Sequence, residues 1–197
     1  MIRERTPIEI VFYAIYLYLL GLSLGQTSRA LQALGLARSH EAVRRWAHRF
    51  AGRAEKLVMN EKANTAIVDE AAVNVAGRNV WLWIAIEPGH RAVLALMLTE
   101  ARNIFAAYSL FTSLRHRGVR HVITDGASWY RIAAGWTRLR HSVVHGGMRN
   151  YVERLIETIK DRLRGFDCYF PSPKKLLDSA LRLLYAWAGF YNYAGST

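Results

Sequence analysis

Three acidic positions stand out by their neighbours and their spacing. Asp69 follows Ala66-Ile67-Val68 inside a stretch patterned as a strand, and a charge among such neighbours is ordinarily paired or bound to a metal ion. Asp125 closes the short apolar run His121-Val122-Ile123-Thr124 and is followed by Gly126. Strand ends collect functional groups in parallel arrangements, although Asp-Gly is also an ordinary turn dipeptide. Glu153 and Glu157 lie four apart in R-N-Y-V-E-R-L-I-E-T-I-K-D-R (149–162). That is just over one helical turn, so they share a face and spacing alone does not choose between them. Carboxylates from three separate elements can hold two Mg²⁺ (or Mn²⁺) ions, which activate a nucleophile and steady the leaving oxygen in phosphoryl transfer.

The elements that must position these acids follow from pattern and punctuation. Residues 65–75 and 79–87 are β-rich and are joined by a turn at Ala76-Gly77-Arg78. Pro88-Gly89-His90 turns again into 91–99, completing a three-stranded antiparallel meander. A helix over 103–117, stopped by Gly118, leads to a short strand at 121–124. A second short strand at 140–145 precedes the helix that carries the glutamates, and a last helix spans roughly 173–193. Three antiparallel strands followed by alternating α and β predict a ribonuclease-H-like mixed α/β fold.

The first third of the chain reads differently. Residues 10–25 are uncharged and apolar, but a spanning helix needs about 20 such residues and Gly21, Ser23 and Gly25 interrupt this run. It predicts a buried helix and no membrane role. A short amphipathic helix at 26–34 stops at Gly35, and Ser39 caps the next. In that helix Val43, Trp46, Ala47 and Phe50 form the buried stripe, while Arg44, Arg45, His48 and Arg49 take the other side. This is a helix-turn-helix pattern. Residues 51–64 read as a connector or a fraying helix, and the expected division is 1–55, 56–170 and 171–197, the last packing on the catalytic domain or on a partner subunit.

Charge points the same way. The formal net charge is +12, with nine Lys/Arg against four Asp/Glu in 1–60, three against five in 61–100 and fifteen against six in 101–197. A basic chain with an acidic middle suits a polyanion binder whose carboxylates serve another purpose. The lone Cys168 excludes an intrachain disulfide framework or a cysteine-built zinc site.

The blocks A-I-V-D-E-A (66–71), V-I-T-D-G-A-S-W-Y (122–130) and R-N-Y-V-E-R-L-I-E-T-I-K-D-R (149–162), preceded by R-S-H-E-A-V-R-R-W (38–46), resemble the DDE transposases of prokaryotic insertion sequences, near the insertion-sequence-six (two-forty) group. The resemblance implies Asp69, Asp125 and Glu153 as the catalytic, metal-holding acids. The N-Y-V-E-R context selects Glu153, with Glu157 in reserve. It further implies Lys160 and Arg154 as DNA contacts beside the basic face of Arg44, Arg45, His48 and Arg49. Arg149, Arg162 and Arg164 could hold phosphates, and His145 could touch the site. Trp129 and Trp136 would either stack on bases or fill the core. The implied partners are double-stranded terminal repeats and target DNA, bound by a homo-oligomer in the cytoplasm on the nucleoid. Two readings stand beside this one: a decayed or regulatory DNA-binding protein, and a nuclease of the same fold. The Asp125–Glu153 spacing is a few residues shorter than in relatives. Relatives also continue past a similar Tyr-Asn, so the expectation is a truncated or decayed copy that keeps its three acids.

Overall fold

A computed structural model of the chain describes residues 6–75, 77–143, 147–166 and 176–195. The long apolar run does not form one helix. Helix α1 (Ile8–Leu19) ends where Gly21 adopts a φ of 111°, a left-handed conformation that costs glycine little. The Gly21 N–H then bonds to the Tyr18 carbonyl at 3.0 Å and the Leu22 N–H to the Leu17 carbonyl at 3.2 Å, which closes the helix end. Ser23 immediately caps α2 (Leu24–Ala33) in a reciprocal box with Gln26, so α2 absorbs the end of the run and starts earlier than its amphipathic pattern suggested. Among the described residues no helix is long and apolar enough to cross a membrane.

Helix α3 (His40–Asn60) is capped by Ser39 as expected, and it continues unbroken to Asn60, which takes the helical of the two readings of this stretch. The reason is packing. Val43, Ala47, Ala51, Ala54 and Val58 repeat at three- and four-residue spacing, and all are buried. Their small side chains let α7 (Leu176–Gly195) come close: a Cβ on Gly189 would lie 3.0 Å from the Ala54 Cβ. The expected boundary at 170/171 falls outside the described residues.

Five strands form one sheet in the order β3-β2-β1-β4-β5. β1 (Thr65–Val75), β2 (Arg78–Ile86) and β3 (Val93–Thr99) make the antiparallel meander, with Asp69 opposite Ile84. β3 begins later than expected, because Glu87 accepts the Gly89 and His90 N–H groups in a turn that ends with Arg91 at a φ of 62°. Helix α4 (Ile104–His116) then leads to β4 (His121–Thr124), parallel to β1. Helix α5 (Ser128–Thr137) leads to β5 (Arg140–Val143), parallel to β4. α6 (Gly147–Phe166) and α7 complete the chain. This is the ribonuclease-H-like arrangement read from the sequence.

Period-two alternation splits the sheet residues between two cores. Ala66, Val68, Trp83 and Val122 face α4 and α5. Ile67, Val73, Ile84 and Ile123 face a second core shared with Val152, Ile156 and Ile159 of α6, with α7 and with α1–α3. The N-terminal helices are tied in again at α1, whose last carbonyls receive the Arg162 guanidinium through Leu20. A cation there complements the helix end. Ala54→Leu should overpack the α3–α7 crossing and lower unfolding free energy by about 1–3 kcal/mol in urea titration followed by circular dichroism. A substitution without measurable cost would show that the two helices are not in close contact.

Candidate active site

The parallel pairing of β1 with β4 matches Ala66 with Val122 and Ile67 with Ile123. Continued two residues, that register sets Asp69 beside Asp125 on strands about 5 Å apart. Both share the parity of Ile67 and Ile123, so both lie on the face covered by α6. Asp125 sits where β4 gives way to a tight turn. Its Oδ1 accepts the Ala127 N–H at 3.0 Å, and Thr124 Oγ1 accepts the Gly126 N–H at 3.1 Å. Gly126 is required there twice over: its φ is 89°, and a Cβ would fall 2.9 Å from Val143 of β5.

Glu153 lies on α6 next to the buried Val152, Leu155 and Ile156 stripe, with its own side chain exposed. Asn150, Glu153, Arg154, Glu157 and Thr158 line an open cleft along the helix. Glu157 makes an exposed ion pair with Lys160 at 2.7 Å. Arg154 donates to the Asn150 carbonyl at 3.3 Å. Among the described residues, no three His, Cys, Asp or Glu side chains stand close enough together to hold a metal ion. The structure thus brings Asp69 and Asp125 to one row and places Glu153 on the helix that covers it, without drawing the three into one cluster.

Sequence reasoning missed what lies behind Asp69. Glu70 points to the opposite face, and its side chain is fully buried. Arg102 holds it with two bonds of 2.6 and 2.7 Å, and the Tyr130 hydroxyl donates to its other oxygen. The Arg102 guanidinium is sandwiched between Trp81 and Trp129, at 4.7 and 4.5 Å from the ring centroids. Trp129 also packs, partly buried, against the core under α4 and α5, so of the two roles foreseen for it the core-packing one holds. Burial pushes the Glu70 carboxyl above the ordinary range, outweighing the opposing bonds from Tyr130 and Arg102, and the Asp125 charge adds to the rise. Burial also holds the Tyr130 phenol well above its ordinary value, with Glu70, Asp69 and Asp125 acting in the same direction. The one sequence signal was Glu70 itself, an acid next to Asp69 in an apolar strand.

The basic face of α3 is only partly free. Arg44 pairs with Glu41 at 2.6 Å. His48 is half-buried, and burial lowers its pKa, with Arg44 and Arg182 acting in the same direction. Arg45 and Arg49 are exposed. Arg162, read as a phosphate contact, instead donates to Leu20 at the end of α1, because α6 packs there. His145 and the side chains of Arg149 and Arg164 fall outside the described residues.

Comparison with known proteins is decisive at this point. The IS240-type transposase family, described as a DDE domain, matches residues 63–167, from just before β1 to the end of α6. The chain belongs to this DDE transposase family. The transposase is also 29% identical over 200 residues to the uncharacterized protein MJ0017 of Methanocaldococcus jannaschii, covering 98% of this chain and 90% of the other. Among solved structures, the catalytic core domain of BIV integrase aligns at 16% identity and a TM-score of 0.46, over 61% of this chain and 81% of that one. The HTLV-2 integrase catalytic core in complex with magnesium aligns at 14% identity and a TM-score of 0.45, over 62% and 86%. A simian T-cell lymphotropic virus intasome chain aligns at 12% identity and a TM-score of 0.45 over 61% of this chain, which spans about half (49%) of that chain's length. The family makes this a transposase-type nucleotidyl-transfer enzyme, and the matched segment contains Asp69, Asp125, Glu153 and Glu157.

Arg102→Leu should cost about 3–5 kcal/mol of stability, because it leaves the buried Glu70 carboxylate unpaired. The pH dependence has a definite sign. A raised carboxyl pKa means that the folded state binds more protons than the unfolded state, so Glu70 makes stability fall as pH rises from the ordinary carboxylate range through its own raised value. Glu70→Gln should therefore gain stability relative to wild type across that interval, measured by urea unfolding at a series of pH values. A difference that does not change with pH would refute the raised Glu70 pKa.

Proposed function

We propose that the transposase binds the ends of an insertion sequence and catalyses divalent-metal-dependent DNA cleavage and strand transfer. The observation that carries this is the β1–β4 register, which aligns Asp69 with Asp125 on the face covered by the helix bearing Glu153. The donors are all carboxylate oxygens, the chemistry that suits Mg²⁺ or Mn²⁺ and not softer ions. Asp69, Asp125 and Glu153 would hold two such ions, which when bound activate water or a 3′ hydroxyl and offset charge on the leaving oxygen. Closing Glu153 on the pair brings three like charges together, a cost that divalent cations offset.

The reaction is hydrolysis at the element's end, which frees a 3′ hydroxyl, followed by in-line attack of that hydroxyl on a target phosphate. No enzyme nucleophile is required. The α2–α3 pair acts as the helix-turn-helix that reads the terminal repeat, with Arg45 and Arg49 among the exposed cations on its second helix. Arg154 and Lys160 lie along the Glu153 cleft, where they meet DNA near the scissile bond; Lys160 exchanges Glu157 for phosphate. The working form is a homo-oligomer on chromosomal DNA in the cytoplasm. The exposed apolar side chains of Phe12, Tyr13 and Tyr16 on α1, beside Tyr193 on α7, favour such association.

The test is strand transfer on labelled terminal-repeat oligonucleotides with Mg²⁺ or Mn²⁺. Wild type should cut and join; Asp125→Asn and Glu153→Gln should each lose more than about 100-fold, beyond the cost of altering an outer-shell residue. Glu157→Gln should stay within a few fold, because it loses only an exposed pair with Lys160. Cutting without joining would favour the nuclease reading. Binding without cutting would favour the regulatory or decayed one. A dead Glu157→Gln beside an active Glu153→Gln would move the third acid one turn along α6.

A further inference from the structure

At the amino ends of β4 and β5, opposite the end that carries Asp125, lies a cavity of ≈ 500 Å³. Its described lining includes four arginines, Arg115, Arg120, Arg138 and Arg140, over a floor of Val119 and Leu139. Among the described residues none of the four is in an ion pair. Their placement is fixed by backbone and side-chain bonds. Arg115 Nη1 donates to the Thr137 carbonyl at 2.8 Å, the Arg140 N–H to the Arg120 carbonyl at 2.9 Å, and the Arg120 N–H to the Asn64 carbonyl at 2.9 Å. Arg138 holds a φ of 55° at the end of α5, a conformation in which glycine or asparagine is usual and a larger side chain is strained. Four guanidinium groups converging without a counter-charge repel one another, and an anion relieves that repulsion.

The surface beside the cavity is aromatic. Trp136, read from the sequence as either stacking on bases or filling the core, is 54% exposed. It lies two residues before Arg138 and packs edge-on against Tyr108 at 5.8 Å, itself partly exposed. Tyr108 stands two helical turns before Arg115 on α4, roughly 10 Å along the axis, so the indole flanks the arginines. The acid row lies five residues along β4 from Arg120, about 16 Å away, so one phosphate cannot touch both ends.

We propose that this cavity and the Trp136 face together bind a single unpaired DNA strand, with backbone phosphates among the four arginines and a base on the indole. A paired base does not offer its face to a side chain, which is why an unpaired strand fits this surface and a duplex engages only the arginines. The proposal rests on the reading above only for the choice of DNA as the polyanion, since strand transfer exposes unpaired flanks. The charge cluster and the bare indole stand without it.

The test is fluorescence anisotropy of labelled oligo(dT) in EDTA across a salt series, with no cutting or joining measured, so that a chain inactive in strand transfer still answers it. Arg138→Gly removes a charge at a backbone position that suits glycine; combined with Arg140→Gln it should flatten the slope of log K against log salt by about 1.4, or 0.7 for each lost phosphate contact. Trp136→Ala should weaken oligo(dT) binding about tenfold, leave the slope unchanged and spare duplex binding. Arg78→Gln, a charge loss on the β1–β2 hairpin where Arg78 pairs with Glu100, should change neither. The proposal fails if the double variant binds like wild type or no worse than Arg78→Gln. It also fails if that variant loses pyrophosphate binding but keeps the oligonucleotide, which would make the cavity a small-anion site. It fails as well if Trp136→Ala shifts the sedimenting species toward monomer without weakening oligo(dT), which would make the aromatic face a subunit contact.

Discussion

The register between β1 and β4 is the constraint on which the rest of this site depends. Successive strand residues face opposite ways, so Asp69 reaches the α6 side while Glu70 reaches the α4–α5 side. A slip of one residue would exchange them, burying Asp69 and turning Glu70 outward. The register is held at its start by the Asn64 carbonyl, which receives the N–H groups of both Arg120 and His121. Further along, Ile67 and Ile123 lock into the same core. Two side-chain bonds of 2.8 Å, His121 to Ser142 and Thr124 to His141, then fasten β4 to β5.

Glu70 contributes to this arrangement despite lying on the far side of the sheet. A buried ion pair adds little net stability, because desolvation cancels much of the attraction. Its value is positional. One carboxylate accepts from Arg102, in the segment between β3 and α4, and from Tyr130, on the first turn of α5. The turn that carries Asp125 lies between β4 and α5, so fixing Tyr130 fixes one anchor of that turn, while Gly126 against Val143 fixes the other. Asp69 and Asp125 are thus held from behind by a network that does not itself reach the α6 face.

The strands were legible because glycine- and proline-marked turns bound each apolar run. Both aspartates were legible because each interrupts or ends such a run. The third acid was not legible from spacing, since Glu153 and Glu157 share a helical face, and only the surrounding N-Y-V-E-R separated them. The sequence left open whether α3 continues past residue 50, because Ala51, Gly52 and Ala54 form a weak apolar pattern on their own. That small-residue stripe has a purpose only when Gly189 of α7 lies opposite, and α7 comes from the far end of the chain. The Glu70 network was hidden for the same reason: its three members come from three elements that the sequence does not bring together. The two tryptophans read alike in sequence but divide in the structure: Trp129 packs against the core and under Arg102, while Trp136 is left outside it.

The uneven charge of the chain fits the proposed function. With a net charge of +12 the chain would draw a DNA strand from a distance, yet in that proposal the strand meets carboxylates where chemistry is to occur. The arginines at the amino ends of β4 and β5 stand about 16 Å from the acid row. That is about twice the screening length of roughly 8 Å at physiological salt, so in the proposed role they would attract DNA without neutralising the acids. The two ends of the short parallel strands act as electrostatically separate surfaces. Repulsion between phosphate and carboxylate then has to be cancelled locally at the acids, which is the task divalent cations perform in the proposed reaction. In that reaction the basic surfaces would be left to hold and align the strand.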